Sequence, residues 1–365
     1  MVAPKTINIA VIGAGGVGSC FLEQLAWLAK NQPIHISLCY LATIDGALYH
    51  PDYSELNIET ALSTLEKAPS PLPSIPETID YLAGTPHKVI LVDNTSATSL
   101  AEAYPQFLAK GINIITPNKK AFSGSYQLWQ EIFGAAKLSG ALIYHESSVG
   151  AGMPIISTVK DLVQTGDEVT KIEGVFSGTM SYLFNTFAPP SGQGGGKWSE
   201  IVLKAKELGF TEPDPRDDLN GLDVARKLTI LGRLSGLPIE SPSSFPVQSL
   251  IPRELESTAN SQEFLTKLPE FDSRMEEQKA LAEKEGKVVR YVGSVDMATK
   301  AVKVGMEWFD PDHPIATLKG SDNIISFYTK RYGDMPLTIC GAGAGGPVTA
   351  MGVTGDLLKI LYQLG

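Results

Sequence analysis

The sequence predicts an α/β fold, with a doubly wound parallel sheet in a first domain and an α+β arrangement in a second. Near the start, a short apolar strand runs directly into a glycine-rich turn and a helix, as in the opening of a strand–helix–strand unit. Similar apolar runs, typical of buried parallel strands, recur up to about residue 145. Beyond them, charged helices and strands that look antiparallel indicate a different architecture.

The length of 365 residues is sufficient for about two domains, each with its own core. We expect a first domain at 1–152, completed by a returning segment at 341–365. The region 153–340 is expected to form the second domain, which would bind the substrate and carry the dimer surface.

Composition and charge exclude several classes of protein. The net charge of −10 and the pI of 5.1 argue against nucleic acid or anionic membranes as main partners. No apolar run reaches the roughly 18 residues of a membrane helix, and no signal peptide is evident. The cysteines Cys20, Cys39 and Cys340 are widely spaced, which indicates buried thiols in a reducing compartment. We therefore expect a cytoplasmic protein.

The first element is the strand Ile7–Ile12, followed by a GxGxxG turn and a helix pattern from Phe21 to Leu28. In such a turn the first glycine makes the bend, the second admits a pyrophosphate, and the third lets the helix pack closely. The helix N-terminus then offers free amides to the phosphates. The alternative is a purely structural turn. We predict a Rossmann-type dinucleotide site at Gly13, Ala14, Gly15, Gly16, Val17 and Gly18.

The choice between NAD and NADP depends on the end of the second strand, Ile36–Leu41. An acidic residue there favours the ribose hydroxyl of NAD, and an arginine favours the phosphate of NADP. Asp45 is the nearest acid, but it lies a few residues late and is equally suited to a turn before Gly46. The cofactor is therefore NADP or NAD.

The next strands end in polar residues that should face the cofactor, because ligands bind at the carboxyl ends of parallel strands. The strand Val89–Val92 leads to Asn94, Thr95 and Ser96, which could equally form a helix cap. The strand Ile112–Thr116 leads to Lys119, which could equally be surface charge. The strand Leu142–His145 leads into a crossing segment to the second domain. Between the second and third strands, the proline-rich segment 68–76 is expected to be a surface loop.

The second domain is expected to alternate helices and antiparallel strands. The glycine-rich segment 189–196 is predicted to be a mobile loop without chemistry. A final helix should return to the first domain and bring Gly345 close to the cofactor. Helices are expected at 155–163, from about 179, at 198–208 and within 254–287, and strands at 172–176, 288–292, 301–307 and 324–328.

The stretch 211–227, TEPDPRDDLNGLDVARK, has the composition of an active site. Pro213 and Pro215 are expected to keep its first part extended, and a helix should begin at Leu222. On that helix Asp223 and Lys227 are four residues apart and share one face. Carboxylates near an amine could receive a cationic substrate group. The plain alternative is a solvated acidic loop with an ordinary salt bridge.

Taken in order, the motifs VIGAGGVG, DNTS, TPNKKA, HESSVGAGMPII, FSGTMSYL and EPDPRDDLNGLDVARKL resemble those of homoserine dehydrogenase, most closely its short fungal form. The resemblance runs almost from end to end. It implies the reversible reduction of L-aspartate 4-semialdehyde to L-homoserine by NADPH or NADH. This step leads toward threonine, methionine and isoleucine. The resemblance also implies a homodimer.

The resemblance assigns roles to individual residues. Glu212 and Asp223 would bind the substrate, Glu212 by its amino group, with Asp218 assisting. Lys227 would donate the proton to the carbonyl oxygen, and Lys119 would act as a second catalytic or positioning cation. The cofactor would be lined by Gly13 to Gly18, Asn94, Thr95, Ser96, Lys119 and Gly345. A sodium ion would be bound, mostly through backbone carbonyls, at Glu146, Val149, Ala151 and Met153.

The role of Lys227 has two interpretations. Hydride addition to an aldehyde creates an alkoxide, which needs a proton or a nearby cation. Asp223 would stabilise the charged lysine, so an electrostatic role is as open as proton transfer.

Two further classes remain alternatives for the chain. A semialdehyde dehydrogenase would need a reactive cysteine, yet the three cysteines lie in apolar sequence. An NAD(P)H-sensing protein without catalysis would not need Lys227 or Asp223.

Overall fold

The computed structural model describes residues 5–192 and 195–364. The chain forms two compact units, Met1–Ile156 together with Ala344–Gly365, and Ser157–Gly343. Gln193 and Gly194, in the segment predicted to be a mobile loop, lie outside the described residues. In the described part of the chain, no helix is long and apolar enough to cross a membrane.

The first unit contains a six-stranded sheet in the order β3-β2-β1-β4-β5-β6. All neighbouring strands pair in parallel except β3, which is antiparallel to β2 at the sheet edge. This confirms the predicted Rossmann-type sheet. Its strands are β1 (Thr6–Ile12), β2 (His35–Thr43), β3 (Gly46–Tyr49), β4 (Lys88–Asp93), β5 (Asn113–Ile115) and β6 (Ile143–Tyr144).

Helices cover this sheet because its central strands are mostly apolar on both faces. Ile7, Ile9 and Val11 of β1 are fully buried. The first and last helices of the unit contribute Leu25 and Leu357 to the same core. The helices are α1 (Gly16–Asn31), α2 (Ala61–Lys67), α3 (Ile75–Ala83), α4 (Thr98–Glu102), α5 (Tyr104–Ala109), α6 (Lys119–Ser123), α7 (Tyr126–Ser139) and the C-terminal α15 (Gly346–Leu364).

The second unit contains a five-stranded antiparallel sheet in the order β11-β10-β7-β8-β9. Gly293 of β8 leaves room for Val224 and Leu228, because a Cβ there would lie 2.8 Å from the Leu228 side chain. Its strands are β7 (Val169–Val175), β8 (Val288–Asp296), β9 (Ala301–Phe309), β10 (Asp322–Thr329) and β11 (Leu337–Ala342). Its helices are α8 (Ile155–Gln164), which begins at the boundary, α9 (Gly178–Phe187), α10 (Trp198–Glu207), α11 (Arg216–Leu219), α12 (Leu222–Leu234), α13 (Ser261–Lys267) and α14 (Asp272–Lys284).

The local expectations were wrong at three places. Pro215 has helical φ and ψ and precedes the short helix α11, because proline is tolerated at a helix start. The proline-rich segment ends in α3, where Ser74 and Glu77 form a reciprocal capping box. Strand β11 was not predicted, since its glycine-flanked sequence has no strong strand signal. It forms through six backbone pairs with β10.

Candidate functional site

The glycine turn between β1 and α1 has the geometry of a phosphate-binding loop. Gly13 has a φ of +92°, and a Cβ there would lie 2.8 Å from the Thr95 side chain. A Cβ at Gly18 would lie 2.0 Å from the Gly13 carbonyl oxygen. At Gly15 and Gly16 an added Cβ would meet no atom within 4 Å. The turn therefore needs glycine at its ends and leaves open space at its centre for a pyrophosphate.

The remaining residues of this turn support its shape. The Ala14 carbonyl accepts a hydrogen bond of 2.8 Å from the Ser19 hydroxyl, and Val17 packs against the core of the unit. Gly345 has a φ of +117° and directly precedes α15. The next residue lies beside the turn, since a Cβ at Gly346 would be 2.8 Å from the Gly16 carbonyl oxygen. The structure thus brings Gly345 to the predicted cofactor turn within the first unit.

A fully buried carboxylate organises the polar ends of β4 and β5. Asp93 accepts hydrogen bonds from the Thr95 backbone N–H at 2.7 Å, the Tyr104 hydroxyl at 2.5 Å and the Asn118 amide at 3.3 Å. Burial raises the pKa of the Asp93 carboxyl, and these hydrogen bonds lower it in part. The network holds the turn after β4 and, through Asn118, the first turn of α6. It connects the two segments that carry the predicted cofactor residues.

Asn94 is oriented toward the glycine turn and has an unusual environment. Its Cβ lies 3.5 Å from the position of a Cβ at Gly18. Both polar atoms of its side-chain amide are buried and have no hydrogen-bond partner among the described residues. A buried unpaired amide is costly, so this group is suited to a ligand. Ser96 is exposed, and Lys119 is the half-buried first residue of α6.

The structure places Asp45 in a turn. Strand β2 extends to Thr43, and Asp45 lies exposed in the two-residue hairpin between β2 and β3. Its backbone N–H donates to the Thr43 hydroxyl at 3.3 Å. The residue at the end of β2 is therefore a threonine, which is neither acidic nor basic. The geometry does not favour one nucleotide over the other.

The crossing segment after β6 contains the residues of the expected sodium site. Val149, Ala151 and Met153 are buried, and Gly150 and Ala151 have φ values of +78° and +54°. Strain of this kind in a non-glycine residue is often found at ligand sites. The Glu146 carboxylate is already bound by the Ile156 backbone N–H at 2.7 Å and by the Lys359 ammonium at 3.2 Å. Over residues 5–192 and 195–364, no group of three or more His, Cys, Asp or Glu side chains could hold a metal. A cation at this segment would therefore have to be bound mostly by backbone carbonyls, as the resemblance implies.

In the second unit, the Lys227 side chain reaches from α12 to the backbone just before α9. It is buried on α12, and its Nζ lies 2.7 Å from an Asp223 oxygen. The same ammonium donates to the Phe176 carbonyl at 2.6 Å. Phe176 follows β7 and precedes Ser177, whose side chain caps α9. Two elements of the fold thus orient one buried cation beside a partly exposed carboxylate.

Glu212 and Asp218 form a second group in this unit. The Asp218 carboxylate accepts from the Glu212 backbone N–H at 2.8 Å and from the Thr179 hydroxyl at 2.8 Å. Burial raises the pKa of the Asp218 carboxyl, and the nearby charges of Glu212 and Asp223 add to this effect. Asp218 therefore holds Glu212 in place, while the Glu212 residue itself is exposed. The structure brings all four predicted residues of this stretch into one region.

The other charges of the stretch have structural roles. Asp214 forms a bidentate pair with Arg216, which donates from Nε to Oδ1 and from Nη2 to Oδ2, and Arg216 also donates to the Thr258 carbonyl at 2.8 Å. The Arg216 guanidinium lowers the pKa of the Asp214 carboxyl. These contacts hold α11 against the segment that leads to α13. Asp217 is exposed.

Sequence reasoning gave no individual role to three groups that hold predicted site residues in the two units. They are the Asp93 carboxylate, the Thr179 hydroxyl and the Phe176 carbonyl. Two of them belong to the FSGTMSYL motif, which supported the resemblance but suggested no role. A backbone carbonyl leaves no signal in a sequence. Asp93 could have been found, because it is an acid at the end of an otherwise apolar strand.

Comparisons with known proteins agree along the whole chain. The family profile described as homoserine dehydrogenase matches residues 154–358, and the profile of its NAD-binding domain matches residues 13–146. The chain is 59% identical to the homoserine dehydrogenase of Emericella nidulans, over 98% of this chain and 99% of that protein. It is 52% identical to the homoserine dehydrogenase of Saccharomyces cerevisiae, over 99% of each chain.

Solved structures show the same fold. A Candida auris protein of unknown function is similar with a TM-score of 0.93 and 48% identity, over 99% of both chains. A hyperthermophilic archaeal homoserine dehydrogenase in complex with NADPH is similar with a TM-score of 0.73, over 98% of both chains. Because the latter identity is 21%, that likeness supports the fold alone.

Proposed function

The chain belongs to the homoserine dehydrogenase family of NAD(P)-dependent oxidoreductases, and we propose that it catalyses the reversible reduction of L-aspartate 4-semialdehyde to L-homoserine. The observation that carries this proposal is the buried Lys227 ammonium in the same unit as a group of carboxylates. A zwitterionic substrate needs carboxylates for its ammonium group, and a developing alkoxide needs a cation.

The first unit would bind the nicotinamide dinucleotide, which supplies the hydride when bound. The open backbone at Gly15 and Gly16 supports pyrophosphate binding, and the unpaired Asn94 amide supports a polar contact. Thr95, Ser96, Lys119 and Gly345 would complete the lining. Lys119 begins α6 and would act as a second catalytic or positioning cation. The choice between NADP and NAD stays open.

The second unit would bind the amino acid. The exposed Glu212 carboxylate would accept the substrate ammonium group, and Asp218 would keep the Glu212 backbone in position. Asp223 is 39% exposed on its side chain, so it can serve both the substrate and Lys227. This arrangement would present the aldehyde to the lysine.

Lys227 would neutralise the alkoxide oxygen that forms during reduction. The Phe176 carbonyl and Asp223 both stabilise its positive charge, which favours an electrostatic role. Transfer of a proton from Nζ to the alkoxide would leave a neutral amine that water can protonate again. Both interpretations need the amine at this position.

The semialdehyde dehydrogenase alternative has little support. Burial raises the pKa of the Cys39 thiol to about 12, and Cys340 also has a raised pKa because of desolvation. A catalytic cysteine needs the opposite, a thiolate stabilised by nearby positive charge.

Several finer assignments are proposals that rest on the family. We propose a homodimer, a cytoplasmic location, and a place on the route to threonine, methionine and isoleucine. A sodium ion would be held near Glu146, Val149, Ala151 and Met153 by backbone carbonyls.

Oxidation of L-homoserine with NAD and with NADP, followed by the absorbance of the reduced nicotinamide, tests the reaction. We expect turnover with at least one nucleotide, and the ratio of kcat/KM values would show the preference. Binding of a reduced nucleotide without turnover of homoserine would favour the sensor alternative instead.

A further inference from the structure

The Thr179 hydroxyl lies between two hydrogen-bond acceptors of the second unit. Its Oγ1 is 2.6 Å from the Phe210 carbonyl oxygen and 2.8 Å from Asp218 Oδ1. A carbonyl oxygen can only accept a hydrogen bond, and the same is true of an ionised carboxylate. The Thr179 side chain is buried, and its hydroxyl has a single hydrogen. One hydrogen cannot make two full hydrogen bonds at these distances.

The Asp218 carboxyl can supply the missing hydrogen. Its Oδ2 accepts from the Glu212 backbone N–H at 2.8 Å, so this oxygen needs no proton. If Oδ1 carries a proton, it donates to Thr179, and Thr179 donates to the Phe210 carbonyl. Every polar atom of this chain then has a partner, as buried polar groups normally do. An ionised Asp218 would leave either Oδ1 or the Phe210 carbonyl without a hydrogen from Thr179.

The surroundings of Asp218 also favour its neutral form. Burial raises the pKa of the Asp218 carboxyl, the hydrogen bond from the Glu212 N–H lowers it, and the negative charges of Glu212 and Asp223 raise it again. A hydrogen bond donated by Thr179 would lower this pKa, but it would deprive the Phe210 carbonyl of its donor. Helix α11, which carries Asp218, packs against α9 and α12. Helix α9 has no charged side chain, and the acid in the first turn of α12 is Asp223.

The cations of α11 and α12 do not outweigh these acids. Arg216, on α11, forms an ion pair with Asp214, and Lys227, on α12, forms one with Asp223. The remaining cations of α12 are Arg226 and Arg233. Among the charges of α12, that of Asp223 has the largest effect on the pKa of the Asp218 carboxyl, and it raises this pKa. The neutral acid is therefore favoured both by the hydrogen count and by the nearby charges.

We propose that Asp218 is a neutral acid in the free enzyme, where it donates its proton to Thr179, and that binding of the substrate ammonium group releases this proton to the solvent. The ammonium group offsets the negative charges of Glu212 and Asp223, so the ionised form of Asp218 becomes favourable. Only the O–H bond at Oδ1 breaks in this step, and water takes up the proton. The Thr179 hydrogen then turns from the Phe210 carbonyl to Oδ1. This inference rests on the proposed function, because homoserine supplies the ammonium group.

The first measurement locates the proton in the free enzyme, by infrared difference spectra at about pH 6, roughly two units above the pKa of an ordinary aspartate. The wild type minus Asp218→Asn should show the C=O stretch of a protonated carboxylic acid. Asparagine preserves the hydrogen bonds of the acid, because its NH₂ group donates to Thr179 and its oxygen accepts from the Glu212 N–H. The matched control is Asp217→Asn, the exposed neighbour on the same helix. The wild type minus Asp217→Asn should show carboxylate bands only.

The second measurement counts the protons released on binding. Homoserine is titrated into the enzyme in the presence of reduced nucleotide, so that no turnover occurs, in buffers of different ionisation enthalpy. The dependence of the binding enthalpy on the buffer gives the number of protons released. At about pH 6 we expect the wild type and Asp217→Asn to release at least about half a proton per homoserine, and Asp218→Asn about a tenth or less.

The two measurements separate this proposal from the proposed reaction. Carboxylate bands alone in the wild type minus Asp218→Asn spectrum would overturn the proposal, since Thr179 would then share its hydrogen between the two acceptors. Equal proton release in the wild type and Asp218→Asn would overturn the coupling to the substrate, although homoserine binding itself would still support the reaction. The infrared spectra contain no substrate, so failure of homoserine to bind would count against the proposed reaction and leave the protonation result unaffected.

Discussion

Replacement of Lys227 by methionine should separate catalysis from folding. Methionine fills much of the same volume but carries no charge and donates no hydrogen bond. We expect kcat/KM to fall by about a hundredfold to ten-thousandfold, the range of lost acid–base or electrostatic catalysis. At about 1.4 kcal/mol per tenfold, this is roughly 3–6 kcal/mol of transition-state stabilisation.

The effect on stability should be much smaller. The hydrogen bond from the charged ammonium to the Phe176 carbonyl contributes about 1.5–3 kcal/mol. The ion pair with Asp223 adds little to the stability, because the Asp223 side chain is 39% exposed and solvent screens its charge. Removal of a buried charge offsets part of the loss. We therefore expect the free energy of unfolding to fall by about 1–2 kcal/mol.

The assay is homoserine oxidation, with denaturant unfolding measured on the same preparations. The control is Lys267→Met, since Lys267 forms an exposed i,i+4 pair with Glu263 at 2.6 Å on another helix of the same unit. It should leave kcat/KM unchanged. Activity of Lys227→Met within about tenfold of the wild type would refute the reasoning. Lys227→Arg separates the two roles, because arginine keeps the charge but cannot release its proton.

Three further variants test other parts of the site. Glu212→Ala should raise the KM for homoserine with little change in kcat, and an unchanged KM would remove its binding role. Asp218 has a raised pKa, so it should lose its charge at a higher pH than a free aspartate as the pH falls. The KM for homoserine should then rise on the acid side in the wild type, whereas Asp218→Asn should have a high KM with a flatter pH profile. Because folding raises the pKa of the Asp218 carboxyl, its ionisation at higher pH lowers the stability of the folded protein. The wild type should thus gain stability relative to Asp218→Asn as the pH falls. Asp93→Asn should raise the KM for the nucleotide and leave that for homoserine unchanged, because Asp93 holds the turn at Thr95. Equal increases in both constants would indicate general disorder of the protein.

Much of the fold could be predicted because its signals are local. The apolar run of β1, the glycine turn and the helix after it lie within 26 residues of one another. Gly18 has a steric reason that depends on a near neighbour, since a Cβ there would lie 2.0 Å from the Gly13 carbonyl oxygen. The pairing of Asp223 with Lys227 follows from helix geometry alone.

Local signals also misled at Pro215 and at the end of the proline-rich segment. A proline disfavours helix at the residue before it, but it is well suited to the first turn of a helix. The sequence pattern does not distinguish a loop that continues from a loop that ends in a helix start. Asp45 lies in the hairpin loop between β2 and β3, and therefore not at the end of β2, where a residue would select the cofactor.

The sequence by itself determined the fold class, the dinucleotide turn and the family, because these depend on short motifs in a fixed order. Only the tertiary structure decided which charges act together. Lys227 binds a carbonyl 51 positions away, Asp218 binds a hydroxyl 39 positions away, and Lys359 reaches Glu146 across 213. Such contacts depend on strand register and helix packing, which bring distant residues within 3 Å or so of one another. The same packing brings Arg216, which pairs locally with Asp214, to the Thr258 carbonyl 42 positions away and so gives that ion pair a structural role.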